Sequence, residues 1–300
     1  MKPTIIAMLA AALLAGNLNA QTSAEIDAMI LRLLEARDKP ASPAAVSALI
    51  HEAKPMSATP WAYGQITPEQ SRNNMLIHSL SSLMGRKVSF ATAREYCVEK
   101  QAWEFAVVYG RRAPNPTVAI GYAENWVAAD PASLSAKLEL LLVRAYEGKQ
   151  DIREELDALL ADNLGTLTSV QASRAILAWN RAAHLDSPMV VLEDAKDFLG
   201  RLLAATAPNP DNLRNARAHA LAYRASLNED VNAEIMELLG TVKGTLKQEH
   251  AEILYGAFKP VAASNAQLAA FYDALLHAVE AKPASAAFLR KILDQKLKLQ

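Results

Sequence analysis

Apolar residues recur at steps of three and four along nearly the whole chain, a spacing that places them on one face of an α-helix. The first such stripe consists of Ile26, Met29, Ile30, Leu33 and Leu34. Comparable stripes follow within residues 134–145, 191–203, 231–242, 268–279 and 288–293. Strand-like alternation of apolar and polar residues is nearly absent. Consecutive amphipathic helices must bury their stripes against one another, so the sequence predicts an all-α fold.

The composition favours the same class of fold. Hydrophobic residues make up 51% of the chain but aromatic residues only 6%, and much of the apolar content is Ala and Leu, which prefer helices to strands. The formal net charge is −1, and loss of Lys2 would make it −2. Because this charge creates no strong field, we expect no nucleic-acid partner.

The first twenty residues have the layout of a secretory signal peptide. Lys2 supplies a positive start, residues 5–15 are almost wholly apolar, and Gly16-Asn17 breaks the run before Ala20. The apolar run is shorter than the roughly 20 residues of a membrane-spanning helix. We therefore expect cleavage near Ala20, a mature chain of residues 21–300 in the periplasm or outside the cell, and no membrane insertion after cleavage.

Cys97 is the single cysteine of the chain, so no intrachain disulfide can form. It has two interpretations: a nucleophile or intermolecular bridge, or a small buried hydrophobic residue on a helix. The second is favoured because no His or acidic residue lies at a spacing typical of a reactive thiolate. Stability must then come from packing.

Helix starts are indicated where Pro follows a residue that can cap a helix. The candidate starts are Ser42-Pro43, Thr67-Pro68, Asp130-Pro131, Ser187-Pro188 and Lys282-Pro283. Gln70 also lies at the capping-box position after Thr67. The candidate stops are Gly85, Gly148 and Gly240. These signals predict eleven or twelve helices with short connectors.

The same pattern predicts a single helical domain over residues 21–300, with 113–116 as the place where a sub-boundary would fall. Two short echoes occur: residues 113–116 match 207–210, and residues 39–42 match 282–285. Either an old duplication of helical units or shared turn chemistry explains them.

Residues 142–152 resemble the first helix and turn of a tetratricopeptide repeat. Leu142 and Tyr146 stand at the family's packing positions, Asp151 and Ile152 open the second helix, and Leu159 fits a later apolar position. The resemblance covers about one 34-residue unit. It implies an α-solenoid, an irregular right-handed superhelix of stacked antiparallel helix pairs, and a surface that binds a protein or peptide.

Two pairs of residues are candidates for that binding surface. Trp61 and Tyr63 lie in the least helical stretch, residues 55–67, and form either an exposed recognition edge or a strap that covers the core. Arg174 and Arg181 fall on a common helix face. Their guanidinium groups either bind carboxylates of a peptide partner or pair with local acids at the surface.

No recognised metal, hydrolase, haem or phosphate-binding motif is present, so no cofactor is expected. The best constellation is Asp273, His277 and Glu280, at steps of four and three. Such a triplet provides either metal ligands or a solvated polar flank of a helix.

These observations favour an exported, non-enzymatic, helical-repeat scaffold that binds a protein or peptide. One alternative is a helical enzyme that acts on envelope or extracellular material through Glu249, Glu252, Asp273 or the His277 cluster. The other is a structural spacer of a larger assembly.

Overall fold

The computed structural model of the chain describes residues 22–186, 189–258 and 264–299. The predicted signal peptide and the Ser187-Pro188 start lie outside these ranges. Within them the chain forms fifteen α-helices and no β-strand, which confirms the all-α prediction. The contacts divide the chain into two compact units, between Ala136 and Lys137, and each unit is described by itself. The prediction of a single domain stays a prediction.

The first unit contains α1 (Ser23–Asp38), α2 (Pro43–Ala53), α3 (Pro68–Lys87), α4 (Phe90–Glu99), α5 (Trp103–Gly110) and α6 (Val118–Ala129). Helix α7 (Leu134–Tyr146) runs across the boundary. The second unit continues with α8 (Arg153–Ala161), α9 (Ser169–Asp186), α10 (Leu192–Ala205), α11 (Pro210–Ser226), α12 (Asn232–Gly240), α13 (Gln248–Ala257), α14 (Asn265–Ala278) and α15 (Ala286–Leu297).

The helix-start signals are confirmed where a side chain caps the backbone. Ser42 caps α2, and Thr67 forms a capping box with Gln70 at the start of α3. The Asp130-Pro131 prediction is wrong: Asp130 closes α6, and α7 begins only at Leu134, where the Ser133 hydroxyl accepts the Ala136 N–H at 3.2 Å.

Gly85 does not end a helix, because α3 continues to Lys87. A Cβ atom at Gly85 would lie 3.0 Å from the ring of Tyr109. This glycine therefore permits close packing of an aromatic ring against α3 and has no role as a stop.

The core of the first unit lies between α1, α3, α4 and α5. Its fully buried members include Leu33, Leu76, Leu80, Leu83 and Tyr96. Cys97 belongs to the same core, and burial raises the pKa of its thiol to about 12. The interpretation of Cys97 as a buried hydrophobic residue is confirmed.

In the second unit, alternate helices pack against one another. Helix α11 contacts α9 on one side and α13 on the other, while α8 contacts α10 and α12 contacts α14. Helix α11 therefore lies between α9 and α13, which are far apart in sequence.

Two stretches of the second unit have closely matching local structure. We call residues 144–207 segment A and residues 224–280 segment B. Helices α8 and α12 each contain nine residues and start from nearly identical backbone conformations, with φ/ψ of −115°/8° at Ile152 and −112°/13° at Val231. Shortly before each helix, Lys149 and Asn228 have positive φ angles of 50° and 69°.

The loop after each of these helices contains the sequence Gly-Thr-Leu, which begins at Gly165 in segment A and at Gly244 in segment B. Both glycines have positive φ, at 67° and 61°. Leu167 forms an isolated parallel bridge with Thr206, and Leu246 forms the matching bridge with Val279. The loops are therefore held in the same way against the end of a later helix.

Side-chain contacts match as well. Trp179 stacks on Phe198 in segment A, and Phe258 stacks on Phe271 in segment B, with ring planes 11° and 6° apart. Arg144 binds Gln150 and Glu155, and its counterpart Arg224 binds Glu229 and Glu234. We call each arginine with its two partners an arginine clamp. Segments A and B thus share the turns, the ring stack and the arginine clamp.

Candidate functional site

A cavity of about 310 Å³ opens between α9, α11 and α13 in the second unit. We call it the central groove. Its polar lining comes from all three helices and from the residue that precedes α13: Ser169, Ser173, Arg174, Asn215, His219, Lys247, Glu249 and His250. Apolar contacts come from Val170 and Ile253. A cleft with a few convergent polar groups is typical of a binding site.

Arg174, one of the binding residues predicted from sequence, lies in this groove. Its guanidinium forms an ion pair with the carboxylate of Glu139, which is almost fully buried on α7. The pairing holds the guanidinium in place at the wall of the groove and balances its charge.

Asn215 and His250 are buried polar residues in the groove wall, with exposed fractions of 8% and 6%. The Nδ1 atom of His250 is enclosed without a hydrogen-bond partner among the described residues. The Asn215 amide lines the groove and makes no hydrogen bond to a described residue. Buried polar groups are normally hydrogen-bonded, so both side chains keep hydrogen-bonding capacity at the groove.

The two histidines of the groove touch each other. The rings of His219 and His250 are nearly perpendicular, with centroids 5.6 Å apart. Burial, and next the neighbouring His219, lower the pKa of His250 to about 4, and burial also lowers the pKa of His219. Both rings are therefore neutral near pH 7, when each offers one donor and one acceptor nitrogen.

The amino end of α13 forms one edge of the groove. Lys247 occupies the cap position, and its side chain makes no capping hydrogen bond. The N–H groups of Gln248 and Glu249, at the first two helical positions, have no partner within the described residues. Glu249 is 68% exposed, and its Oε1 atom lies 3.7 Å from Nδ1 of His250.

The amino end of α9 occupies the equivalent place in segment A but is capped. Oε1 of Gln171 accepts the Thr168 N–H at 2.9 Å, and the Thr168 hydroxyl accepts the Gln171 N–H at 3.3 Å. Counted from the shared Gly-Thr-Leu sequence, Lys247 and His250 stand where Thr168 and Gln171 stand. Segment B therefore has an amine and an imidazole where segment A has a capping pair.

Arg181 lies on α9 two turns after Arg174 but does not line the groove. Its guanidinium carbon lies 5.5 Å from the centre of the Tyr146 ring, and its Nε atom is enclosed without a hydrogen-bond partner. Arg174 and Arg181, which the helical spacing grouped together, therefore have different surroundings: Arg174 lines the groove, and Arg181 lies against Tyr146.

Trp61 and Tyr63 belong to the first unit, so they are not part of the central groove. The ring of Trp61 packs edge-on against Phe105 at 5.2 Å. The Tyr63 hydroxyl accepts the Trp103 N–H at 2.6 Å and donates to the Gln101 carbonyl at 2.8 Å, and burial raises the Tyr63 pKa. These are the contacts of a strap that covers a core.

Asp273, His277 and Glu280 do not form a cluster on one helix face, because α14 ends at Ala278. Lys296 pairs with Asp273, and Lys282 pairs with Glu280. Nδ1 of His277 lies 2.7 Å from the backbone oxygen of Asp273. Throughout the described ranges, no three His, Cys, Asp or Glu side chains are grouped so that they could hold a metal ion.

The groove residues that sequence reasoning missed include Asn215, His219, Lys247 and His250. They come from parts of the chain that only the packing of α11 against α13 brings together. The repeated Gly-Thr-Leu sequence was the signal that could have led to two of them, since it places Lys247 and His250 opposite a capping pair.

None of the helices that the structure describes has the length and apolar character needed to cross a membrane. Comparison of the chain with protein-family models, with curated proteins and with solved structures finds no match.

Proposed function

We propose that this protein is a non-enzymatic binding module that works outside the cytoplasm and holds a segment of a peptide or partner protein in the central groove. The observation that carries the proposal is the pair formed by Asn215 and His250. Both side chains are buried in the groove wall. Nδ1 of His250 is enclosed without a hydrogen-bond partner among the described residues, and the Asn215 amide makes no hydrogen bond to a described residue.

The chemistry of these groups suits a polypeptide backbone. An asparagine amide donates and accepts hydrogen bonds side by side, as a peptide group does, and a neutral imidazole also provides one donor and one acceptor. Hydrogen bonds to the backbone of an extended segment are a recurring mode of peptide recognition. The Arg174 charge is already balanced by Glu139, so the middle of the groove suits a neutral peptide group.

The arrangement of helices supports the same proposal. Packing of α11 against both α9 and α13 places their side chains along one groove, as stacked helices do in scaffolds that bind peptides. A tetratricopeptide-like superhelix and a periplasmic or secreted location, which residues 1–20 suggest, are further parts of the proposal.

The test is retention of a random heptapeptide library on immobilised protein of residues 21–300, read by mass spectrometry. The wild type should retain a subset of peptides, and Asn215→Leu should lose them. Because Asn215 has no hydrogen-bond partner within the described protein, this substitution should leave folding intact. Gln295→Leu on α15, outside the groove, is the matched control.

The outcomes separate the competing functions. Peptides retained by the wild type and by Gln295→Leu, but lost from Asn215→Leu, support a binding module. Cleaved peptides whose formation depends on Glu249 would instead support the enzyme. If the folded wild type retains nothing and alters nothing, the binding proposal is wrong and the structural spacer is favoured.

A further inference from the structure

We propose that the central groove recognises a carboxylate of the bound segment and that this group binds at the amino end of α13. The inference rests on the proposed function and adds the chemistry of the ligand. The free N–H groups of Gln248 and Glu249 lie at the positive end of the helix dipole. Lys247 adds an ammonium group at the same edge.

The comparison with segment A explains why this helix end stands out. At the amino end of α9, Thr168 and Gln171 each accept the other's backbone N–H with a side-chain oxygen, and the Ser169 N–H lies 3.5 Å from Oδ1 of Asn212. Lys247, at the position equivalent to Thr168, makes no side-chain capping hydrogen bond, and the His250 N–H instead bonds the Lys247 carbonyl at 3.1 Å. The amino end of α13 has no side-chain cap and has a cation beside it, an arrangement that suits binding of an anion.

A second, independent observation indicates a ligand at the same place. The Asn215 amide comes from a different helix, is more than nine-tenths buried, lines the same cavity and makes no hydrogen bond within the described protein. A carboxylate at α13 with a peptide group beside it would use both sets of donors. The helix end and Asn215 therefore describe one ligand, an acidic peptide segment.

The charges of the groove favour a monoanion. Arg174 is paired with buried Glu139, so Lys247 is the cation that remains for a ligand, and exposed Glu249 stands beside it. A phosphate dianion would need more positive charge than this lining provides. A carboxylate matches a single ammonium and two backbone N–H groups.

The test uses three heptapeptide libraries on the immobilised protein. The first has free carboxyl termini and no Asp or Glu, the second has amidated termini and includes Asp and Glu, and the third has amidated termini and no acidic residue. Retention of the first or the second should exceed retention of the third about fivefold to tenfold. Which of the two is retained identifies a terminal or a side-chain carboxylate.

Two variants place the carboxylate at α13. The double substitution Lys247→Thr/His250→Gln installs the capping pair of α9, so it should raise the melting temperature and abolish the preference for acidic peptides. Lys243→Thr, in the exposed loop before α13, is the control and should keep the preference. Glu249→Gln should strengthen retention of acidic peptides about twofold to fivefold, whereas Glu252→Gln, one turn further on, should not.

The results distinguish this inference from the proposed function. Equal retention of the three libraries overturns carboxylate recognition and leaves peptide binding in place. Retention of none overturns both. A preference for acidic peptides that survives in the folded double variant overturns the assignment to the amino end of α13.

Discussion

The side-chain amide of Asn74 makes two hydrogen bonds with the backbone of one residue, Ala62. Oδ1 of Asn74 accepts the Ala62 N–H at 2.9 Å, and Nδ2 donates to the Ala62 carbonyl at 2.8 Å. The Asn74 amide on α3 thus satisfies both backbone polar groups of Ala62, in the loop that carries Trp61 and Tyr63. This contact fixes the loop against the core of the first unit.

Asn74→Ala should lower the free energy of unfolding by about 2 kcal/mol, because it leaves a backbone N–H and a carbonyl without partners. Asn73→Ala is the matched control. Its amide makes only two longer contacts, at 3.3 and 3.2 Å, to the carbonyls of Thr59 and Pro60. Urea denaturation should show a loss below about 1 kcal/mol for the control. Equal losses would contradict the role assigned to Asn74.

Gly244→Ala should destabilise the protein by about 1 kcal/mol, because the positive φ of 61° strains any residue that has a Cβ atom. No other atom lies within 4 Å of that Cβ position, so the effect is one of backbone conformation. Gly240→Ala, at the end of α12 and equally unobstructed, should be neutral or stabilising. Thermal unfolding of the two variants checks the pair, and a stabilising Gly244→Ala would refute the conformational argument.

Arg224→Met should destabilise the second unit by about 2 to 3 kcal/mol, because it leaves the largely buried carboxylate of Glu229 without its main partner. Arg224 bonds Glu229 through Nε at 2.6 Å and Glu234 through Nη1 at 2.7 Å. Arg201→Met removes a more exposed pair with Asp157 and should lose less than about 1 kcal/mol in chemical denaturation. Similar losses would show that the clamp adds nothing beyond a surface pair.

The same clamp makes stability depend on acid. Hydrogen bonding to Arg224 lowers the Glu229 pKa from 4.5 to about 2. This stabilisation is complete above pH 4.5 and is lost as the pH falls towards 2, at most about 3 kcal/mol. In Arg224→Met, the unfolding free energy should therefore fall less steeply over that window.

His250 makes the free energy of unfolding depend on pH over a higher pH range than Glu229 does. Its pKa is lowered from 6.5 to about 4, mainly by burial. The unfolded chain therefore takes up a proton on this residue before the folded chain does, and stability should fall by up to about 3 kcal/mol from pH 6.5 to 4. His250→Gln should reduce this slope. Denaturant titrations at pH 7, 6, 5 and 4 test the difference.

Cys97 should be inert in the folded protein. Its thiol is fully buried, and burial raises the thiol pKa to about 12. An aromatic disulfide reagent at pH 8 should therefore label no thiol before denaturation and one thiol per chain in denaturant. Rapid labelling of the native protein would show that the core around Cys97 opens readily.

The periodicity of apolar residues predicts the helices well because the buried face of a helix is set by residues three and four positions apart. The stripe that contains Met29, Ile30 and Leu33 is the buried face of α1. The capping box of Thr67 and Gln70 is likewise local, since it involves a few consecutive residues. The start at Asp130-Pro131 was misplaced because Ser133, three residues later, provides the cap. Gly85 was misread because its reason is a distant ring, that of Tyr109.

The candidate binding residues show what local reasoning cannot reach. Helical spacing selects Arg174 and Arg181 together, but it cannot show that Glu139 pairs with Arg174 or that Arg181 lies against Tyr146. Asn215 carries no sequence signal of its own.

The sequence by itself determined the all-α class, the starts of α2 and α3 and the burial of Cys97, because each depends on residues a few positions apart. Only the tertiary structure decided that α9, α11 and α13 meet in one groove and that Asn215 lines the same cavity as the amino end of α13. Whether a buried side chain has a hydrogen-bond partner depends on all the residues that are packed around it. No local pattern records that, so the candidate site emerges only when the helices are assembled.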